Sequence, residues 1–153
     1  MSFFSNSYPF RDAGLLIIRF GVGLMFMTHG GPKLTGGPGL WREIGRSMHV
    51  LGVDFLPTFW GFMAAFAEFG GGLMLLLGLL FRPACLLLAF TMGVATMKHL
   101  TGGDGFSTAS HAIEAGILFL GLLFVGPGNY SLDHTLFKSS PILRKARPVK
   151  SKR

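Results

Sequence analysis

The fold of this chain is decided by residues 13–34, AGLLIIRFGVGLMFMTHGGPKL. Most side chains over residues 13–29 are apolar, and a run of that length predicts a helix that crosses a membrane. The following Gly30-Gly31-Pro32 predicts the turn at which this helix ends. Arg19 lies inside the run, where a charged side chain costs about 3 kcal/mol or more. We therefore expect Arg19 to face the protein interior and to have a partner there.

The composition of the whole chain is typical of a membrane protein with several spans. Half of the 153 residues are hydrophobic and only 14% are charged, against about a quarter in a soluble domain. This length is sufficient for one domain. The single cysteine, Cys85, excludes an internal disulfide and a CxxC redox pair.

Three further apolar segments predict three more spans. Together with the first, the predicted spans cover residues 13–29, 58–81, 84–100 and 108–125. Apolar residues at helical spacing between the first two spans predict a short amphipathic surface helix over residues 39–51, in the first outer loop. The predicted fold class is all-α: a polytopic membrane four-helix bundle that occupies residues 1–137 as one domain.

The net charge of +7 comes largely from the end of the chain. Residues 138–153 contain seven of the fourteen Lys and Arg, which predicts a basic tail rather than a charged face on a folded domain. A basic tail beside a span is typical of a topology signal and of contact with anionic lipids, and it argues against nucleic-acid binding. Because four spans bring both termini to one side, the tail predicts that both are cytoplasmic.

The ionisable residues of the spans are the best indication of function. A helical rise of about 1.5 Å per residue places most of them in the outer half of the membrane, with Arg19 and Glu68 deeper. This predicted polar column consists of Arg19, His29, Lys33, Glu68, Lys98, His99, His111 and Glu114. Buried groups of these types usually pair with one another and mark a ligand site or a proton path.

The partner expected for Arg19 is Glu68. Glu68 and Glu114 are the only acidic residues within the predicted spans, so the expectation follows by elimination. A purely structural interpretation stands beside it, in which the pair only fixes helix register and the residues near the span ends reach for the interface. The convergence of all four spans, rather than any single residue, favours a functional site.

Metal and haem sites are not predicted. A bundle di-iron site uses two Glu-x-x-His motifs and two further Glu, whereas these spans have His111-x-x-Glu114 and one other carboxylate. A b-type haem between two histidines is compatible with the histidine count, but no spacing requires one. The sequence also contains no nucleophile elbow, phosphate loop or dinucleotide fingerprint, so no intrinsic cofactor is predicted and no catalytic residue is assigned.

In their order and spacing these residues resemble the DoxX-like membrane proteins, the DoxX/DoxD group. The resemblance covers roughly residues 13–135. It rests on Arg19, HGGPKL at 29–34, Glu68 with GGL at 71–73, GL at 78–79 before Arg82, Glu114, and GPGNYSLD at 126–133.

The resemblance implies a four-helix bundle in a bacterial inner membrane. Some DoxX-like proteins are small subunits of a thiosulfate:quinone oxidoreductase, and others are linked to membrane oxidoreductase complexes in oxidative or thiol stress. The resemblance implies no catalytic residue. The positions that match the polar motif of the family are Arg19, His29, Lys33, Glu68 and Glu114.

Two functional hypotheses result, and they leave open whether the chain is an enzyme. In the first, it is a membrane subunit of a redox complex, surrounded by lipids and other subunits, and its polar column binds a quinone head group or passes protons to one. Glu68 and Glu114 would accept protons and Arg19 would bind a head-group oxygen. The side chains expected to flank the ring are Phe26, Phe66, Phe69 and Trp60.

The second hypothesis is a non-catalytic accessory subunit that stabilises a larger membrane assembly, with its ion pairs serving packing alone. A small-molecule carrier ranks below both, because the sequence has no inverted repeat or broken helix in mid-span.

Overall fold

The computed structural model describes residues 8–137, which form helices joined by short connections. The predicted basic tail lies outside these residues. In chain order the helices are α1 (Arg11–Thr35), α2 (Gly37–Gly45), a 3-10 helix (Arg46–Leu51), α3 (Pro57–Leu77), α4 (Phe81–Gly102), α5 (Phe106–Val125) and α6 (Leu132–Phe137). Four of them, α1, α3, α4 and α5, are long and apolar enough to cross a membrane. The predicted all-α polytopic membrane fold is confirmed.

The four long helices pack side by side, with α3 between α1 and α4, and α5 on α4. Phe26 of α1 meets Phe119 of α5 edge to face, with ring centroids 4.9 Å apart, and this contact joins the first helix to the last. The core around it is fully buried and includes Leu75, Phe81 and Leu88. All four long helices therefore contribute buried side chains to one hydrophobic core.

The two ends of the bundle can be distinguished by their connections. Arg11, at the start of α1, donates a hydrogen bond from Nη2 to the backbone carbonyl of Val125, at the end of α5, over 2.8 Å. We call this end the terminal end. The opposite end, where α1 is followed by α2 and where α4 joins α5, is called the distal end.

The predicted turn at Gly30-Gly31-Pro32 is wrong, because α1 continues through these residues to Thr35. A membrane helix tolerates an internal proline, and ending the helix there would expose unpaired backbone groups. Gly30 is buried, and a side chain at this position would collide with the backbone of Glu68 and Phe69. The glycine therefore serves close packing of α1 on α3 rather than a turn.

The predicted surface helix over residues 39–51 consists of two pieces, α2 and the 3-10 helix. Both lie across the distal end and pack on α3. The ring of Trp41 in α2 meets Phe62 of α3 edge to face at 5.0 Å between centroids. Gly61 of α3 lies at the crossing point, where a methyl group would overlap the backbone carbonyl of Trp41. The absence of a side chain at Gly61 thus permits α2 to cover α3.

Replacement of Gly61 by alanine should destabilise the fold by about 1–3 kcal/mol, because the added methyl group forces α2 away from α3. Thermal unfolding of the purified protein in detergent measures the effect. Gly93→Ala is the matched control, since a methyl group at that position meets no atom within 4 Å. Equal unfolding temperatures for the two variants would contradict the close crossing.

Candidate functional site

Arg19 is enclosed at the terminal end, with only 1% of its surface exposed. Its Nε donates to the carbonyl of Leu75 over 3.2 Å and its Nη2 to that of Leu76 over 3.1 Å, both in the last turn of α3. Its Nη1 donates to the carbonyls of Pro127 and Tyr130, after α5, over 2.7 and 2.8 Å. We call these four hydrogen bonds the Arg19 clasp. They pair with carbonyls near helix ends, of which that of Leu75 also accepts a hydrogen bond from the backbone N–H of Gly78.

The segment after the Arg19 clasp also fixes the start of α4. The Asp133 carboxylate accepts hydrogen bonds from the backbone N–H groups of Leu80, over 2.8 Å, and Phe81, over 2.9 Å. Leu80 has a φ of 45°, a left-handed conformation that is uncommon for leucine. The carboxylate therefore caps α4 and holds Leu80, the residue just before it, in its unusual conformation, so that α3, α4 and α5 are tied together at the terminal end.

The predicted pairing of Arg19 with Glu68 is wrong. Glu68 lies seven residues before Leu75 on α3, about 10 Å along the helix axis from the nearest part of the Arg19 clasp. The elimination argument counted only carboxylates as partners. In this fold the partners of the guanidinium are backbone carbonyls, which composition does not reveal.

Glu68 is paired instead with Lys33. The Lys33 Nζ lies 2.7 Å from both carboxylate oxygens, and the Glu68 side chain is 7% exposed against 39% for Lys33. Gly30 places the backbone of α1 directly on Glu68, and Lys33 follows three residues later on the same face of α1. The indole of Trp41 donates to the backbone carbonyl of Lys33 over 2.9 Å and thereby ties α2 to the pair.

The Lys33–Glu68 pair lines a pocket of about 440 Å³ between α1, α3, α4 and the covering helices α2 and 3-10. This volume lies within the range of about 300–1,000 Å³ that is typical of small-molecule sites. Most of its wall is apolar, and includes Ile44, Met48, Phe59, Trp60, Met63, Ala64, Leu87, Phe90 and Val94. The pocket thus combines an apolar wall with one partly buried ion pair.

Trp60 lines the pocket, and its indole carries an unused hydrogen-bond donor. Its indole N–H is buried and finds no acceptor among residues 8–137. Leaving a buried donor unpaired costs about 1–3 kcal/mol. The other aromatic residues that were expected to flank a ring, Phe26, Phe66 and Phe69, do not line this pocket. The donor role of Trp60 could not be foreseen from its residue type, because it depends on what surrounds the indole.

The predicted polar column is divided in the structure. Four of its residues line the pocket: Lys33, Glu68, Lys98 and His99. His99 lies with Nδ1 2.7 Å from an oxygen of Asp104, and the pair is partly exposed at the distal end. His29, His111 and Glu114 are exposed on the surface of α1 and α5. Arg19 belongs to the clasp at the other end of the bundle.

The described part of the chain holds no group of three or more His, Cys, Asp or Glu side chains placed to bind a metal ion. The pocket residues that sequence reasoning missed, among them Ser47 and Met48 of the 3-10 helix and Thr91 of α4, carry no distinctive pattern. Only the rotation of each helix brings them to the pocket, and an apolar span does not encode that rotation in its composition.

Comparison with known proteins places this architecture among bacterial membrane proteins. A family model described as DoxX matches residues 14–101. The inner membrane protein YqjF of Escherichia coli is 34% identical over 133 residues, which are 84% of this chain and 95% of YqjF. The inner membrane protein YphA of the same species is 32% identical over 131 residues, 80% of this chain and 90% of YphA.

An uncharacterized membrane protein of Mycobacterium tuberculosis is 32% identical over 141 residues, which are 81% of this chain and 82% of the relative. No solved structure is significantly similar to this chain. The segment matched by the DoxX model contains Lys33, Glu68 and Lys98, so the charged lining of the pocket lies within the family region.

Arg19→Lys should lower the free energy of unfolding by about 2–3 kcal/mol, because an ammonium group cannot reach carbonyls on both sides and leaves some of them unpaired. Thermal or denaturant unfolding of the purified protein measures the loss. Arg82→Lys is the control, since Arg82 is exposed at the same end of the bundle, and it should change stability by less than about 0.5 kcal/mol. Equal effects of the two substitutions would contradict the clasp.

Proposed function

Because this chain belongs to the DoxX family of membrane proteins, we propose that it is a membrane subunit of a redox complex whose pocket binds a quinone head group. The observation that carries the proposal is the Lys33–Glu68 ion pair in the wall of an apolar pocket. Trp60, whose indole N–H has no acceptor among residues 8–137, belongs to the same wall. A ligand with an apolar body and hydrogen-bond acceptors would match both features.

The donors and the aromatic wall of the pocket fit a quinone. Its head group is a flat ring with two carbonyl oxygens, and in an apolar site each oxygen requires a donor. The indole N–H of Trp60 and the ammonium group of Lys33 are the donors that would hold these oxygens. Phe59 and Phe90 also line the pocket and supply aromatic surface for the ring.

The position of the pocket fits a ligand that arrives from the bilayer. Phe59 and Phe90 line the pocket and are also 50% and 56% exposed on the outside of α3 and α4. Both helices are membrane spans, so this side of the pocket borders lipid. A lipid-soluble quinone would therefore enter sideways between these two rings.

A bound quinone would supply the redox chemistry, taking up two electrons and two protons. The part of this chain is to place the ring and to hold protons near it. Glu68 is the carboxylate inside the pocket, and His99 lies at the distal rim with Asp104 beside it. We propose Glu68 as the group that relays protons toward the ring and His99 as the group that exchanges them with water. Electrons would come from a partner subunit of the complex.

The location of the protein is part of the same proposal. YqjF and YphA are named inner membrane proteins, and we extend this location to the present chain. The start of α1 and the end of α5 meet at the terminal end, and the basic residues 138–153 favour a cytoplasmic position for that end. The tail would then contact anionic lipids of the inner leaflet.

The accessory subunit is the second candidate, and the Arg19 clasp favours it in one respect. All four hydrogen bonds of this buried cation are used to join helix ends, so at least one ionisable group in the spans serves packing alone. If the Lys33–Glu68 pair likewise only joined α1 to α3, its charged groups would not bind a small molecule.

A quinone analogue should protect Glu68 from a hydrophobic carbodiimide, because the analogue occupies the pocket that the reagent must enter. Mass spectrometry of peptides from the treated protein measures labelling at each carboxylate. Glu114 is an internal control, since it is exposed on α5 outside the pocket and should be labelled equally with and without the analogue. Unprotected Glu68 would contradict quinone binding and favour the accessory role.

Trp60→Phe should weaken binding of the quinone analogue by roughly two- to ten-fold, because the variant keeps an aromatic wall but loses one hydrogen bond to the ligand. Titration of the protein in detergent measures the affinity. The same substitution should leave the stability of the ligand-free protein unchanged or raise it, since an unpaired buried donor is removed. Phe124→Leu, at a residue that is exposed on α5 outside the pocket, is the control. Unchanged affinity in Trp60→Phe would refute the assigned donor role.

A further inference from the structure

Three ionisable side chains lie on the outside of membrane-spanning helices, His29 on α1 and both His111 and Glu114 on α5. All three are exposed, and none forms a hydrogen bond or ion pair with any residue between positions 8 and 137. A carboxylate that faces hydrocarbon costs about 3 kcal/mol or more, and an exposed imidazole also lacks hydrogen-bond partners there. This part of the surface therefore requires a polar partner from outside the described residues.

The three side chains lie in the distal half of their helices. Glu114 is eight residues and His111 five residues after Phe106, the first residue of α5. His29 is six residues before Thr35, the last residue of α1. Counted from the contact of Phe26 with Phe119 at about 1.5 Å per residue, His29 lies about 5 Å, Glu114 about 8 Å and His111 about 12 Å nearer the distal end. The acid thus lies between the two histidines in a band about 8 Å deep.

These residues belong to two helices that meet at an aromatic contact. His111 and Glu114 are three residues apart and share one face of α5. Phe26 of α1 contacts Phe119 of α5, and His29 follows Phe26 by three residues on α1. We call His29, His111 and Glu114 the α1/α5 patch. It has both an acceptor and donors, so it is complementary to itself.

We propose that the α1/α5 patch is the surface at which two copies of this chain associate, around a two-fold axis along the membrane normal. Such an axis leaves the depth of every residue unchanged. Glu114 of one copy therefore meets the second copy within about 5 Å of the depth of its histidines, a difference that side chains can span, and the same pairing occurs twice in the dimer. Each carboxylate gains a donor, and each pairing removes polar groups from lipid.

The surface beside the patch permits close approach of a second copy. Ile117 and Gly121 follow Glu114 by three and seven residues, so they continue its face of α5. Ile117 is 65% exposed, and no atom lies within 4 Å of the position that a methyl group on Gly121 would occupy. An exposed apolar residue next to a glycine is typical of contacts between membrane helices. This inference does not depend on the proposed quinone site.

The test uses the full chain reconstituted in liposomes over a range of protein-to-lipid ratios. Energy transfer between two populations, labelled with donor and acceptor fluorophores at the N-terminus, measures association. We expect saturable transfer that corresponds to a dimer. Glu114→Gln should weaken association about ten-fold, because the neutral amide keeps an acceptor but removes the charge that strengthens two hydrogen-bonded pairs. Glu43→Gln, on exposed α2, should associate as the original protein does.

A charge exchange separates the proposed pairing from a general effect of substitution. The double variant His111→Glu with Glu114→His keeps one acid and one histidine on each copy, so it should recover association relative to Glu114→Gln. Thermal unfolding confirms that each variant is folded. The proposal is overturned if the original protein stays monomeric at every ratio, or if Glu114→Gln associates as the original protein does. It is also overturned if the patch binds only a different membrane subunit.

Discussion

Four hydrogen bonds from the guanidinium of Arg19 hold the terminal end of this bundle together. A lipid environment offers no water to the carbonyls at the end of α3 or after α5, so they must find donors within the protein. One side chain from α1 supplies those donors and links three parts of the chain that are far apart in sequence. Because Asp133 caps α4 in the same region, every spanning helix is fixed at this end.

The clasp also positions the helices for the pair near the distal end. With α1 held against α3 at Arg19, Gly30 lies directly on the backbone of Glu68, and Lys33 is brought to its carboxylate. The two ends of the bundle then differ in kind. The terminal end has its buried polar groups satisfied by the backbone, whereas the distal end retains an unpaired donor at Trp60 and partly exposed ionisable groups around a pocket. Because polar groups without a full set of partners occur around the pocket at the distal end, that end is where we expect a ligand to bind.

The sequence was sufficient for the class of fold and insufficient for the pairing of its polar residues. Uninterrupted apolar runs predicted the four spans because burial in lipid leaves few other solutions for a backbone. The turn predicted at Gly30-Gly31-Pro32 was wrong because such residues end helices in soluble proteins, whereas a membrane helix can continue through them. The partner of Arg19 could not be found by counting acids, since backbone carbonyls at helix ends accept hydrogen bonds equally well.

The candidate site was predictable in part. Lys33, Glu68, Lys98 and His99 were identified by their rarity in apolar spans, and the structure brings them to one pocket. His29, His111 and Glu114 were identified by the same signal, yet they lie on the outside. The difference is one of helix rotation, which depends on packing contacts such as Gly30 on Glu68 rather than on local composition. The donor of Trp60 depends on its surroundings and so could be recognised only in three dimensions.

The most direct test of the central claim is to identify the small molecules that remain bound when the protein is extracted gently from its native membrane. Native mass spectrometry followed by lipid extraction is applied to the original protein and to Ala64→Phe. In this variant the larger side chain of a lining residue fills part of the pocket. The account predicts a quinone bound to the original protein and a clear loss of it from the variant. A particle that carries no quinone, or carries equal amounts with both proteins, would contradict the pocket as a quinone site.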